Sequence, residues 1–171
     1  MPELPEVETI RLSLQRKIIG LKIKSVELIA PKSFIGDSKL LGGQIVLKVW
    51  RRAKILGIDL DKFTLLFHLK MTGQVIYDDG KRFVGGHPTP DMLGELPNKH
   101  TRVIFTFSDG SYLYFNDQRR FGWVKVVDGG FELPNLGPEP LEKDFTWEIL
   151  KNNLLHHPNM SIKVALLDQK V

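Results

Sequence analysis

The chain has 171 residues, of which 42% are hydrophobic, and its net charge is +4 because 24 Lys and Arg outnumber 20 Asp and Glu. This composition excludes a disordered chain, and the length suffices for one domain or for one domain and a portion of a second. Without cysteine the chain forms neither disulfides nor cysteine-ligated zinc sites, and without a long apolar run or a basic amino end we expect a cytoplasmic protein with no membrane span.

The first predicted element is a helix over residues 4–18. Pro5 suits the first turn, where its missing N–H is not needed, and Glu6 and Glu8 suit the positive end of the helix dipole. Apolar residues then recur at helical spacing and predict one buried stripe, formed by Val7, Ile10, Leu14 and Ile18.

Short segments rich in Val, Ile, Leu, Phe and Tyr follow, and turn signals such as Asp79-Gly80 and Asp109-Gly110 separate them. Some of them alternate, as Ile45, Leu47 and Val49 do. This pattern predicts a mainly β protein with flanking helices, built on an antiparallel β-sandwich. The predicted strands are 22–30, 44–50, 54–60, 63–69, 74–77, 102–107, 111–116 and 123–127.

Two Pro- and Gly-rich stretches interrupt the pattern. Residues 78–100 are predicted to form a long loop, and LGPEPL at 136–141 marks a boundary. We therefore predict a first domain over 1–135, followed by a linker and the beginning of a helical domain over 136–171. Within 136–171, Phe145, Ile149, Leu150 and Leu154 recur at helical spacing and predict one helix. A second helix is predicted to start near Ser161 and to run to the end without a stop signal, so the chain is expected to end inside an element.

The amino end carries the first candidate chemistry. A methionine that precedes a small residue is usually removed, which leaves Pro2 with a free secondary amine. Such an amine attacks a carbonyl-like carbon and forms an iminium ion, which acidifies the neighbouring C–H and permits elimination. Glu3 and Glu6 lie close enough to carry protons or to orient a substrate. Taken alone, this stretch is more often the plain start of a helix.

Two basic segments follow predicted strands. Arg51-Arg52-Ala53-Lys54 suits contacts with phosphate, although such a run is commonly a solvated strand edge. His68-Leu69-Lys70-Met71-Thr72-Gly73 places a methionine at a turn, where an apolar wedge can enter a stack of bases. Ordinary loop packing is the alternative for Met71.

A third segment, Asn116 to Gly122, joins two predicted strands. Its Arg119-Arg120-Phe121 tip can present a guanidinium beside an aromatic ring. Such groups fill the gap that an extruded base leaves and wedge the adjacent stack. A hairpin whose Phe packs inward is the alternative.

Five segments, taken in their order along the chain, closely resemble the bacterial formamidopyrimidine-DNA glycosylase and endonuclease VIII family. They are PELPEVET, RRAK, HLKMTG, DQRRFG and LGPEPL. The opening PELPEVET favours the formamidopyrimidine branch, since the other branch usually opens with PEGPE. The resemblance implies a monomeric enzyme that removes 8-oxoguanine and ring-opened purines from double-stranded DNA. It also implies that the enzyme cleaves the abasic strand by β,δ-elimination.

The same resemblance implies a role for each matching residue. Pro2 would attack C1′ of the damaged nucleotide, Glu3 would be the general acid and base with support from Glu6, and Lys54 would donate a proton and bind phosphate. Among the DNA contacts, His68 would touch the phosphate backbone. Met71, Arg119 and Phe121 would fill and wedge the gap left by the flipped base, with Arg120 beside them. Two positions depart from the family pattern: Lys70 stands where glycine is common, and Gln118 where proline is common.

The family continues beyond the portion that resembles this chain, with a helix–two-turn–helix module and a four-cysteine zinc finger. Residues 145–171 look like the start of that module. We therefore expect no zinc in this chain, because its structural zinc would lie in the finger, and we expect weak DNA binding by this chain alone. Two other functions remain open from the residues: a catalytically silent module that binds damaged DNA, and an N-terminal-proline tautomerase.

Overall fold

The structure is a computed structural model that describes residues 2–86, 94–129, 133 and 136–168. The chain divides into two compact units, Met1–Phe131 and Glu132–Val171. Among the described residues, every strand lies in the first unit, and the second unit is helical.

The first unit begins with helix α1, Leu4–Lys17, which lies within one residue of its predicted bounds. The helix begins there because the Glu6 carboxylate accepts a hydrogen bond of 2.9 Å from the Glu3 backbone N–H, just before the first turn. The predicted apolar stripe is confirmed, since Val7, Ile10, Leu14 and Ile18 are each at most 1% exposed.

Two five-stranded sheets follow and confirm the predicted β-sandwich. One sheet has the order β1-β8-β9-β6-β7, and the other has the order β2-β10-β5-β4-β3. All pairs are antiparallel except the short β2–β10 pair. The strands are β1 Ile23–Leu28, β2 Phe34–Ile35, β3 Val46–Arg52, β4 Ile55–Leu60, β5 Phe63–His68, β6 Gly73–Asp78, β7 Phe83–Gly86, β8 Thr101–Phe107, β9 Tyr112–Asp117 and β10 Trp123–Asp128.

The core lies between the two sheets and beneath α1. Phe67 on β5 meets Phe105 and Phe115 of the opposite sheet, with ring centroids 5.9 and 6.2 Å apart. Helix α1 packs against β3 of one sheet and β7 of the other. Burial of each such large side chain contributes about 1.5–3 kcal/mol to the free energy of folding. Because α1 packs on both sheets, its start is fixed relative to each of them.

Three details differ from the sequence prediction. The two-residue strand β2, Phe34–Ile35, falls in none of the predicted strands. Strand β7 lies inside the predicted long loop 78–100, because a four-residue strand on a sheet edge tolerates flanking Gly and Pro. The alternation of Ile45, Leu47 and Val49 does not mark the buried face: Leu47 is 54% exposed, whereas Val46 and Val49 are buried. A register shift between Val46 and Lys48 moves the strand by one residue and reverses which side chains face inward.

The second unit contains helices α2, Trp147–Leu155, and α3, Ile162–Leu167. The Thr146 hydroxyl accepts a hydrogen bond from the Ile149 backbone N–H and caps α2. Ser161 precedes α3, as the sequence predicts, but the prediction that this helix runs to the end is wrong, because the backbone becomes extended at Asp168 and α3 ends at Leu167. Among the residues that the structure describes, no helix is both long enough and apolar enough to cross a membrane.

Candidate active site

The start of α1 and the β3–β4 turn come together. Pro2 is buried, and the Glu3 side chain next to it is 43% exposed. A carboxylate oxygen of Glu3 lies 2.6 Å from the ammonium nitrogen of Lys54, which is only 17% exposed and occupies the two-residue turn after β3. Three residues predicted from the sequence motifs, Pro2, Glu3 and Lys54, therefore converge on one corner of the sandwich.

A second ion pair holds this turn against α1. Arg51 is 4% exposed, and its Nε donates to a carboxylate oxygen of Glu8 at 3.0 Å. Its Nη1 donates to the backbone carbonyl of Ala53, also at 3.0 Å. Hydrogen bonds from Arg11, and then those from Arg51, lower the pKa of Glu8 against the opposing effect of burial. Sequence reasoning missed Glu8 and Arg51 as a pair, because 43 residues separate them in the chain.

Glu6 is exposed, and its carboxylate accepts a hydrogen bond from the Glu3 N–H. This bond fixes the direction in which the chain enters α1. The observed role of Glu6 is thus to cap the helix that carries Pro2 and Glu3.

His68 ends β5, one strand away from Lys54. It pairs with Ile55 on β4 and with Trp123 on β10, and its ring lies 5.6 Å from the Trp123 ring. Burial, together with the charges of Lys70 and Lys54, lowers the pKa of His68 to about 4. The backbone N–H of Lys70 donates to its Nδ1 at 3.1 Å, so the neutral ring carries its proton on Nε2 and can donate from there.

Met71, Arg119 and Phe121 form one exposed cluster, although they come from two different loops. The Arg119 Nη1 lies 3.0 Å from the sulfur of Met71, and the Arg119 guanidinium carbon lies 5.0 Å from the centre of the Phe121 ring. Met71 is 42% exposed and Phe121 is 55% exposed. The alternatives of inward packing therefore fail for both residues, and we call these three side chains the tip cluster.

Asp117 ties the two loops together beneath the tip cluster. This carboxylate is fully buried and accepts hydrogen bonds from the Thr72 hydroxyl, from the Arg119 N–H at 3.2 Å and from the Gly122 N–H at 2.7 Å. A Cβ at Gly122 would lie 2.8 Å from the Phe115 ring and 3.0 Å from the His68 carbonyl, so only glycine fits there. Sequence reasoning missed Asp117 and Thr72, and an Asp that directly follows a strand and precedes a turn was the available signal.

Two residues of these loops have a left-handed backbone conformation. Lys70 has φ +51° and Arg120 has φ +61°. Glycine adopts this region at least cost, so a lysine at position 70 makes the backbone there more strained than a glycine would. Arg120 is exposed, and its charge adds to burial in lowering the pKa of Arg102. Gln118 is exposed beside Arg119.

No metal centre belongs to this arrangement as far as the structure describes it. Within residues 2–86, 94–129, 133 and 136–168, no group of three or more His, Asp or Glu side chains is placed to hold an ion. A four-cysteine zinc site does not fit this chain, because the sequence contains no cysteine.

Comparison with known proteins places this geometry in a family. The family model described as the formamidopyrimidine-DNA glycosylase N-terminal domain matches residues 1–124. The chain belongs to this family. Formamidopyrimidine-DNA glycosylases from Pelotomaculum thermopropionicum and Bacillus subtilis are 41% and 37% identical to it, and each alignment covers 99% of this chain. The chain spans 60% of the length of both relatives.

Solved structures of the glycosylase family agree. A complex of Lactococcus lactis Fpg with DNA containing an abasic site superposes with a TM-score of 0.80 at 30% identity, and the match covers 99% of this chain and 61% of that one. A complex of MutM with DNA containing carbocyclic 8-oxo-G gives a TM-score of 0.81 at 32% identity, over 99% and 62% of the two chains. Membership of the glycosylase family leaves the tautomerase alternative without support.

Proposed function

We propose that this chain carries the catalytic domain of a bifunctional DNA glycosylase and abasic-site lyase. Its substrates are oxidised purines, 8-oxoguanine and formamidopyrimidines, in double-stranded DNA. The observation that carries the proposal is the ion pair of 2.6 Å between Glu3 and Lys54 beside the buried Pro2. The relatives are named formamidopyrimidine-DNA glycosylases, and two related structures contain DNA with an abasic site or with carbocyclic 8-oxo-G. Both observations support the choice of substrate.

In the first step, the Pro2 amine attacks C1′ and the damaged base leaves with a proton. The dipole of α1 disfavours a protonated amine at its start and Lys54 offsets the charge of Glu3, whereas the Glu6 carboxylate favours the protonated amine. Glu3 transfers protons at the sugar, and Lys54 is placed to supply a proton and to bind an adjacent phosphate.

In the second step, O4′ of the sugar takes a proton from Glu3, the C1′–O4′ bond breaks, and the lone pair of the Pro2 nitrogen forms an iminium ion with C1′. Loss of the C2′ proton then expels the 3′ phosphate, and a further elimination expels the 5′ phosphate. Hydrolysis returns the free amine of Pro2. Each step is therefore balanced with only the protein, the DNA and water.

The tip cluster serves the extrusion of the damaged nucleotide. Met71 and Arg119 fill the space left in the duplex, and Phe121 wedges the neighbouring stack. His68 donates from Nε2 to the phosphate backbone, and Arg120 adds positive charge beside the cluster. The contact of Arg119 with both Met71 and Phe121 supports this assignment.

The proposal extends to the whole protein. Residues 1–135 form the catalytic domain, and residues 136–171 hold the linker and the beginning of a helix–two-turn–helix module. The structural zinc of the family belongs to a finger outside these residues. The protein works as a monomer on chromosomal DNA in the bacterial cytoplasm.

Borohydride trapping tests the proposed function. The assay uses this chain alone and joined to the matching carboxyl-terminal portion of the Bacillus subtilis relative, with duplexes that contain 8-oxoguanine or an abasic site. We expect a covalent crosslink on both duplexes, strongly reduced in Pro2→Gly and abolished in protein that mass spectrometry shows to retain Met1. Binding without any crosslink indicates a silent damage-binding module instead, and full crosslinking with Met1 retained contradicts the mechanism.

A further inference from the structure

Two loops that are far apart in sequence share one hydrogen-bond network, which is centred on the buried Asp117. Thr72 follows Met71 in the first loop, and Asp117 and Arg119 lie 45 and 47 residues later. The Thr72 hydroxyl donates to Oδ1 of Asp117 and at the same time accepts from the Arg119 N–H at 3.0 Å. One hydroxyl thus links the buried Asp117 to the backbone of Arg119, a member of the tip cluster.

The other end of the network is closed by Asp117. Its Oδ2 accepts from the Gly122 N–H, and its backbone carbonyl accepts from Nε of Arg102 at 2.8 Å. Asp117 is 0% exposed and Arg102 is 4% exposed, so water does not replace either bond readily. The loop from Arg119 to Gly122 is therefore fastened at both of its ends to a single side chain.

We propose that Thr72 and Asp117 are positioning residues that make Met71, Arg119 and Phe121 enter the duplex as one preformed unit. The inference rests on the proposed function of the tip cluster in base extrusion. Thr72 and Asp117 touch neither the base nor the sugar in this role. They act through the backbone of the two loops that carry the inserted side chains.

The physical reason is conformational entropy. A loop that must become ordered during insertion loses backbone and side-chain freedom at that moment, and this loss opposes extrusion. The Thr72 hydroxyl uses both its donor and one acceptor position, which leaves it a single orientation. Because folding has already ordered the two loops, the insertion step does not bear that cost.

A matched pair of variants tests the inference in the chain extended with the relative's carboxyl-terminal portion. Thr72→Val keeps the shape but removes the hydroxyl, and Thr72→Ser keeps the hydroxyl. We expect Thr72→Val to slow single-turnover excision of 8-oxoguanine about 10-fold. Cleavage of a preformed abasic site should change far less, because no base has to leave the stack, and Thr72→Ser should retain most of the excision rate.

A double-mutant cycle supplies the second measurement. In the parent protein, Met71→Ala and Arg119→Ala should be non-additive in their effects on excision, because the two side chains insert together. In the Thr72→Val background the same two substitutions should become additive. If Thr72→Val lowers thermal stability too far for assay, Thr72→Ala takes its place in the cycle.

The outcomes separate the inference from the proposed function. Equal rates for Thr72→Val and Thr72→Ser, equal losses on the two substrates, or additive effects already in the parent protein overturn the inference while the enzyme itself remains active. Failure of the parent protein to trap or excise at all overturns the proposed function instead.

Discussion

Glu3 is in contact with, or directly bonded to, three other residues of the candidate site. Its backbone N–H donates to Glu6, its carboxylate contacts Lys54 at 2.6 Å, and it follows Pro2 directly. A change in its charge therefore affects proton transfer and the position of Lys54 together. A change of its backbone would affect the start of α1.

Glu3→Gln separates these effects, because glutamine keeps the length of the side chain and the backbone N–H. We expect base excision to fall by about 10²–10⁴-fold, as for other proton carriers. Elimination at a preformed abasic site should survive to some extent, since that substrate has no base to release. Parallel single-turnover assays on the two duplexes measure the difference, and an equal loss on both would assign Glu3 a role in folding or DNA binding.

His68 gives a prediction about pH. Its pKa lies at about 4 in the folded protein, against an ordinary value of 6.5 in the unfolded chain. Below pH 6.5 the unfolded chain therefore binds a proton that the folded protein does not bind. The stability contributed by neutral His68 is present above about pH 6.5, decreases as the pH falls towards 4 and is fully lost below that value.

Two measurements check the state of His68. An NMR titration of its imidazole should give a midpoint near 4 in the free protein. Urea unfolding at pH 7 and pH 5 should show a larger loss of stability for the parent protein than for His68→Gln, whose side chain does not titrate. A midpoint near 6.5 would contradict the buried, neutral state.

At the scale of elements, α1 and the β3–β4 turn are joined by charge as well as by packing. Arg51 contacts Glu8 on the helix and the carbonyl of Ala53 in the turn, and the next residue, Lys54, contacts Glu3. The two acidic partners, Glu3 just before α1 and Glu8 within it, lie roughly one and a half helical turns apart. Together they set the distance between the start of the helix and the tip of the hairpin.

Arg51→Met tests this link. It removes the cation and leaves Glu8 paired with Arg11, so we expect a loss of about 2–4 kcal/mol in the free energy of unfolding. Arg51→Lys keeps the charge but not the two directed bonds, and should lose less stability. Urea unfolding of both variants and of Glu8→Gln, arranged as a double-mutant cycle, measures the coupling. An additive cycle would mean that the pair does not join the two elements.

The limits of prediction from sequence also belong to this scale. The stripe of α1 and most strands follow from periodicity, because burial repeats every 3.6 or 2 residues. Strand β7 did not follow, since its flanking Gly and Pro obscure a four-residue edge strand. The buried face of β3 does not follow the alternation of Ile45, Leu47 and Val49, because a register shift between Val46 and Lys48 reverses it.

Within the site, short motifs identified the residues at the tips of turns, including Lys54, Met71, Arg119 and Phe121. They did not identify the residues that hold those turns. The Glu8–Arg51 and Thr72–Asp117 contacts join positions that lie 43 and 45 residues apart. Local spacing carries no information about such pairs, which depend on how the sheets pack.

At the scale of the whole molecule, a net charge of +4 is modest, so the position of each charge matters for DNA binding. Lys54, Lys70, Arg119 and Arg120 all lie on the turns that also carry the tip cluster or contact Glu3. His68 lies among them but is uncharged at neutral pH. The surface thus combines cations with a neutral donor.

Salt dependence distinguishes these groups in the extended protein. Lys54→Gln should reduce the slope of log affinity against log salt by about 1, because one fewer counterion is released. His68→Gln should weaken binding without changing the slope, since no charge is lost at pH 7.

Arg119→Ala should weaken binding of an 8-oxoguanine duplex more than binding of an abasic one. Fluorescence anisotropy over a salt series measures all three, and identical losses on both duplexes would make Arg119 an ordinary phosphate contact.

The burial of Pro2 and the bond from Glu3 to Glu6 have a practical consequence for anyone who produces this protein. Under the proposed mechanism the reactive nitrogen is the first atom of the mature chain, and the residue after it is already fixed to α1. An affinity tag, a protease scar or an extra codon before the proline would turn that amine into an amide, whose nitrogen has no lone pair to donate. Purification handles therefore belong at the carboxyl end, and an inactive preparation should first be checked for the mass of its first residue.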